Sequence, residues 1–343
     1  MTIKGIRAEG LNEWFAKHVE DAVPPLEFSL IKGGHSNLTY KVDDAAGHRF
    51  VLRRPPTGAV IATAHDMARE HRIISALANT AVPVPLALGL CEDESINDAP
   101  FYVMAYVDGY VLGDQIQTAK RLDESARGRL GDEVIEVLVA LHSVVPEDVG
   151  LGDLGRKEAY LSRQLKRWRT QWEKTKTREL PAMEEVFAGL EAKKPEQLGS
   201  GIVHGDYRIG NMLTTDKGHI AAVLDWELCT LGDPLADLGY LLNNWSHPGE
   251  AGPTGRGAAM SPTSAEGFAA REEVVARYEA LTGRDAGGIA YYRAFQYWRL
   301  AAIVEGVLAR YLKGVMGNQA DTDLFRDQVD GLASAALDLL GEL

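Results

Sequence analysis

His204-Gly205-Asp206-Tyr207-Arg208-Ile209-Gly210-Asn211-Met212-Leu213, followed by Val223-Leu224-Asp225, decides how this chain is read. A carboxylate, a carboxamide five residues on and a second carboxylate beyond an apolar strand are the polar parts of a phosphoryl-transfer site. Asp206 is the candidate catalytic base, because a carboxylate within reach of an acceptor hydroxyl both orients it and takes its proton. Asn211 and Asp225 are the candidate magnesium ligands, being hard oxygen donors that suit this ion. Taken singly, loop Asp and Asn usually serve turns. Together, at average residue frequencies, this spacing should arise by chance in about one chain in ten thousand. Met212-Leu213, a turn at Asp216 to Gly218 and the apolar run Ile220 to Leu224 predict a hairpin that carries Asn211 towards Asp225.

Upstream, residues 1–107 read as a strand-rich unit with one main helix, expected to form a nucleotide-binding lobe. Strands are predicted at Leu26 to Ile31, Leu38 to Val42, Arg49 to Leu52, Leu86 to Leu90 and Phe101 to Val107, with a helix from Ala64 to Leu77. Gly33-Gly34-His35-Ser36-Asn37 lies between two of these strands, where backbone N–H groups can approach phosphate oxygens. Gly34, Ser36 and Asn37 are therefore candidate cofactor contacts, although a plain hairpin turn explains the same residues. Arg53, at the end of the third strand, is the candidate cation for the nucleotide phosphates, and Glu70 on the helix is its candidate ion-pair partner. Strand alternation places Arg53 on the face of Val51 and so favours it over Arg54. Ala105 to Val107 would offer backbone groups to a nucleotide base, which names Ala105 and Val107 as contacts.

After Val107, Asp108-Gly109 breaks the strand, and residues 108–343 read as a mainly helical lobe for catalysis and acceptor binding. Helices are predicted at Ser125 to Leu141, Arg156 to Lys174, Ala182 to Leu190, Pro234 to Asn243, Ala265 to Leu281, Gly288 to Lys313 and Asp321 to Leu340. Ser246 to Ser264, rich in Gly, Pro, Ala and Ser, reads as a surface loop. Asp233 suits a helix cap, and Asp237 is expected either to brace the catalytic loop by hydrogen bonds or, equally, to occupy a solvated helix position. Nine basic residues lie between Arg156 and Arg178. Arg163 and Arg167, near one helical face with Arg156 and Lys174, are candidate contacts for an anionic acceptor, against the plainer reading of a solvated stripe. Tyr207 and Trp298 complete the candidate acceptor contacts, with core packing as the default for the aromatic-rich helix around Trp298.

Composition sets wide bounds. The chain has 343 residues, 45% of them hydrophobic, and a formal net charge of −13. That charge disfavours nucleic acid or an anionic membrane as the main partner, since both call for a broad basic face. Met1 to Gly10 lacks the apolar core of a signal peptide, and no run approaches the roughly 20 apolar residues of a membrane span, so a cytoplasmic protein is expected. Cys91 and Cys229 fall in no Cys/His cluster and read as buried, reduced thiols.

On these motifs the chain resembles the aminoglycoside phosphotransferase and choline kinase-like superfamily, over nearly its whole length. Phe50 to Pro56, Phe101 to Gly109, His204 to Leu213 and Val223-Leu224-Asp225-Trp226-Glu227-Leu228-Cys229-Thr230-Leu231-Gly232-Asp233-Pro234 look most like the branch containing the kinase domain of acyl-CoA dehydrogenase family members 10 and 11. The resemblance implies an α+β, two-lobed protein-kinase-like fold, with a small antiparallel-sheet lobe and a larger, mainly helical one. It implies ATP and Mg2+ as cofactors and a small hydroxylated acceptor, with hydroxyacyl-CoA or hydroxy acids as the specific suggestion. An aminoglycoside or amino-alcohol kinase, and a catalytically silent nucleotide-binding module, stay open as alternatives. Two departures stand out. Arginine occupies position 53 where lysine is usual, which keeps the charge but alters the geometry of phosphate binding. Trp226-Glu227 replaces the Phe-Gly of protein kinases, which argues against protein substrates.

Overall fold

The computed structural model describes residues 3–31, 37–57, 66–250, 252–253, 261–314 and 321–343. Five strands, β1 (Glu27–Leu30), β2 (Leu38–Asp43), β3 (Arg49–Arg54), β4 (Ala87–Cys91) and β5 (Phe101–Ala105), make one antiparallel sheet in the order β1-β2-β3-β5-β4. Each lies within two residues of its sequence-based position.

Helices cover this sheet on both faces. Helix α1 (Ala8–His18), which the sequence reading passed over, buries Leu11, Trp14 and Phe15 against Phe50, Leu52, Phe101 and Val103. Its apolar residues recur at i, i+3 and i+4, so the signal was present. Helix α2 (Met67–Leu77) packs Ile73, Ile74 and Leu77 with Val51, Tyr102 and Met104 from the opposite face. Alternation along β3 thus feeds two cores, and Arg53 follows Val51 onto the α2 side. Its cross-strand partner there is Tyr102.

Beyond the sheet the chain is mainly helical. After the short α3 (Glu94–Asn97), which lies between β4 and β5, it runs through α4 (Gln115–Arg121), α5 (Glu124–Ser143), α6 (Tyr160–Thr175) and α7 (Pro181–Ala192). Asp114 caps α4, a helix the sequence reading had not placed, by accepting from Gln117 N. Strands β6 (Gly201–Val203) and β9 (Thr230–Gly232) pair with each other, as do β7 (Met212–Thr214) and β8 (Ile220–Val223). The β7–β8 pairing sets Met212 opposite Val223, which is the expected hairpin. Helices α8 (Leu235–Asn243), α9 (Arg271–Thr282), α10 (Ile289–Leu312) and α11 (Thr322–Gly341) close the order. The long α10 is buried along much of its length and packs on α6, α7, α8 and α11.

Of the predicted loop at 246–264, residue 251 and residues 254–260 lie outside the described residues. Its ends are anchored: Thr263 and Ser264 are buried, and Ser246 N donates to Thr263 Oγ1 at 2.8 Å. Cys91 and Cys229 are buried and free, as expected. Among the described residues no helix is long and apolar enough to cross a membrane.

Candidate active site

The loop that carries Asp206 is clamped by buried side chains. Buried Asp237 on α8 accepts from His204 N at 2.6 Å and from Gly205 N at 2.8 Å, the bracing role read from sequence. Arg299 on α10, which sequence reasoning missed, donates from Nη1 to Gly205 O at 3.0 Å. Gly205 has φ +85°, and a Cβ there would meet Leu228 O at 2.8 Å, so glycine alone fits. The N–H of Asp206 donates to His204 Nδ1 at 3.2 Å, which puts the imidazole proton on Nε2, where it donates to Leu224 O at 3.0 Å. The imidazole therefore ties the Asp206 loop to Leu224, between the end of β8 and Asp225.

Asp206 and Asn211 meet across one tight turn. Asn211 Nδ2 donates to Asp206 Oδ2 at 2.7 Å and to Asp206 O at 2.9 Å. With its nitrogen spent in this way, the Asn211 amide keeps its oxygen for another partner. Arg208 Nε lies 3.3 Å from Asp206 Oδ1, a contact to the candidate base that sequence reasoning had not identified. Burial first, and then the Asp206 charge, raise the pKa of the nearby Tyr240 phenol.

Asp225 is held differently. Leu224 N donates to Asn211 O at 2.8 Å, which brings the two candidate metal ligands together. Asp225 itself has φ 66°, a left-handed conformation that costs a non-glycine residue about 1 kcal/mol or more. Its Oδ1 accepts from Arg53 Nη2 at 2.7 Å. The same guanidinium places Nε 2.9 Å from Glu70 Oε2 as an ion pair and Nη2 3.9 Å from Glu227 Oε2. Burial alone would lower the arginine pKa, but Glu70, Asp225 and Glu227 outweigh it and raise it.

Glu70 is 2% exposed and also accepts from Asn37 Nδ2 at 3.1 Å and Tyr102 OH at 3.1 Å. Burial raises its pKa against the opposing pull of Arg53. Asn37 Nδ2 also lies 3.3 Å from Glu227 Oε2. Glu227 thus belongs to the cluster, although in sequence it stood out only as a departure from the protein-kinase pattern.

The remaining candidates divide. Ala105 N and Tyr106 N donate to Leu86 O and Arg49 O at 2.8 and 3.3 Å, while Val107 begins the segment that leaves the sheet. Gly34 and Ser36 lie outside the described residues. Arg167 reaches the rim of a cavity beside the catalytic loop, whereas Arg163 turns back to donate to Arg156 O. Two acceptor candidates are buried in the core. Tyr207 is 1% exposed, and its hydroxyl donates to Val134 O at 2.7 Å. Trp298 is fully buried, with Nε1 donating to Met183 O at 3.2 Å. Both are core residues, because each large ring closes the space between packed helices and spends its polar atom on a buried carbonyl.

The family described as phosphotransferase enzyme family matches residues 27–287. The chain belongs to that family. Acyl-CoA dehydrogenase family member 10 of Mus musculus is 37% identical over 84% of this chain, but the chain spans only 27% of that relative's length. A solved structure from Ralstonia eutropha, assigned as an aminoglycoside phosphotransferase, is 34% identical, with TM-score 0.82 and 98% of each chain covered. An aminoglycoside phosphotransferase in ternary complex with AMP-PNP and hygromycin B shares the fold alone, at 16% identity and TM-score 0.61 over 97% of this chain and 98% of that one. The two-lobed, protein-kinase-like α+β architecture of this phosphotransferase family is thus the architecture of this chain.

Proposed function

We propose that the protein is an ATP- and magnesium-dependent O-phosphotransferase that moves the γ-phosphate of ATP to a hydroxyl of a small molecule, with a hydroxyacyl-CoA or hydroxy acid as acceptor. One observation carries this reading: Asp206 and Asn211 share a 2.7 Å hydrogen bond on a loop whose hairpin leads directly into Asp225, and Asp225 is gripped by the Arg53–Glu70 pair. The acyl-CoA dehydrogenase relative and the local run of basic residues support the acceptor class.

The donor set fits a hard, hydrated cation. Among the described residues no group of three or more His, Cys, Asp or Glu could hold a metal ion. Two protein oxygens, from Asp225 and Asn211, are what magnesium uses when substrate phosphates and water complete its shell. When bound, the ion neutralises charge on the phosphates. The chain's own residues do the rest. Arg53 bears on the phosphates, Val107 and its neighbours meet the base, and Asp206 aims the acceptor hydroxyl. The acceptor oxygen bonds to the γ-phosphorus, the bond from that phosphorus to the bridging oxygen of ADP breaks, and the hydroxyl proton passes to Asp206.

A panel of hydroxyacyl-CoAs, hydroxy acids, amino alcohols and aminoglycosides, followed by ADP release, tests the reading. The expected result is stimulation by the first two classes and a loss of about a hundred- to ten-thousand-fold in Asp206→Asn, the range for a general base. ATP binding with no acceptor response, together with an Asp206→Asn variant identical to the parent, would overturn it in favour of a silent nucleotide-binding module.

A further inference from the structure

A cavity of about 400 Å3 opens between α2, α6 and the segment after Asp225, with Glu70, Gly205 and Glu227 on its wall. It therefore touches both the Arg53 cluster and the residue before Asp206. Its charges are segregated. On one side Glu70 and Glu227 are committed to Arg53 and Asn37, and Asp66 caps α2 by accepting from Arg69 N at 2.9 Å. Arg69 spends Nη2 on Leu154 O and Cys229 O at 3.0 and 2.8 Å.

On the opposite side stand Arg167 and Arg299, each with its guanidinium carbon 5.4 Å from the centre of the same Trp168 ring, and so no more than twice that distance apart. Neither forms an ion pair among the described residues. Arg299 is 7% exposed, and its Nε is buried without a hydrogen-bond partner. Arg167 sits at the solvent-open rim, where the surrounding protein, and then the like charge of Arg299, lower its pKa. Two cations gathered around one indole, neither in an ion pair among the described residues, are mutually repulsive, a cost that a bound anion reverses.

We propose that Arg167 and Arg299 form an anion subsite that binds a carboxylate or phosphate group of the acceptor while its hydroxyl faces Asp206. The proposal rests on the phosphotransferase reading for the word acceptor, but not for the existence of the subsite. Trp168 supplies an apolar platform on which the acceptor's carbon chain lies between its two ends. The subsite thus selects an anionic hydroxylated molecule over a polycationic one.

Sulfate binding to the full chain, measured by calorimetry at constant ionic strength with ADP filling the nucleotide cleft, tests the site without turnover. Arg167→Gln should weaken sulfate about tenfold or more, and Arg167→Lys by less, since lysine keeps charge but not the planar fork. Equal affinity in the parent and Arg167→Gln, or no saturable sulfate binding to the parent, overturns the proposal. Competition then separates the sources. Displacement of sulfate by 3-hydroxybutanoate assigns the site to a carboxylate, and displacement only by its coenzyme A thioester assigns it to a phosphate. Displacement by neither overturns it as an acceptor subsite. If sulfate binds as expected but no acceptor is phosphorylated, the phosphotransferase reading falls while the anion site stands.

Discussion

Asp206 and Asp225, the two carboxylates of the site, are held by opposite means. The Asp206 loop is clamped within the helical part of the molecule by buried groups that touch its backbone, Asp237 on two N–H groups and Arg299 on a carbonyl. Asp225 sits in a strained conformation and takes its partner, Arg53, from a sheet strand 172 residues earlier. One carboxylate is fixed by its own foundation. The other has its backbone tied to the Asp206 loop through Leu224, but its side chain takes its partner from the sheet.

Breaking the Asp225 side should have the largest effect on stability. Arg53→Gln leaves Glu70 buried without its cation, and a loss of about 3 kcal/mol or more is expected from chemical denaturation. The pH dependence has a definite sign. Burial raises the folded-state pKa of Glu70, so its contribution to stability is full below the unfolded value and is lost as pH rises through the folded one. Removing Arg53 raises that pKa further, and the deficit of the variant should therefore widen from about pH 4.5 upward. Glu70→Gln in the same background should recover part of the loss and flatten the pH response. A deficit independent of pH would mean that Arg53 does not hold the buried Glu70 carboxylate in its charged form.

Asp237→Asn tests the other side. The substitution keeps shape but turns one acceptor into a donor facing a backbone N–H, leaving a buried group unsatisfied at a cost of about 1–3 kcal/mol. The lower melting temperature should be accompanied by a fall in turnover with nucleotide affinity unchanged, because the loop rather than the cleft is disturbed. Equal losses in turnover and nucleotide affinity would erase the contrast between the two carboxylates. The smallest effect is expected from Tyr207→Phe. Losing the bond to Val134 O should cost about 1 kcal/mol, with acceptor KM unaltered. A raised KM would return Tyr207 to the acceptor site.

What was legible in the sequence follows the range of the interactions. Asp206, Asn211 and Asp225 are joined by a hairpin whose register Met212 and Val223 set locally, so spacing alone brought them together. Arg53 and Glu70 were legible through strand alternation and helix position. Asn37 was singled out in sequence as a cofactor contact, but its meeting with Glu227 was not legible, since the two lie 190 residues apart and carry no periodic signature. Tyr207 and Trp298 were misplaced for a related reason: an aromatic beside a motif lines a pocket or fills a core according to which helix packs over it, and α5 and α7 supply the carbonyls that bury these two. Helix α1 had its stripe at Leu11, Trp14 and Phe15 and could have been read.

By itself, then, the sequence determined the alternation of the sheet, the hairpin and the grouping of Asp206 with Asn211 and Asp225, because these depend on backbone periodicity and short loops. Only the tertiary structure decided that Arg53 grips Asp225, that Glu227 joins them, and that Arg167 and Arg299 face the same indole. Those contacts are set by how the sheet, α6 and α10 pack, and packing is a property of surfaces that meet from distant parts of the chain.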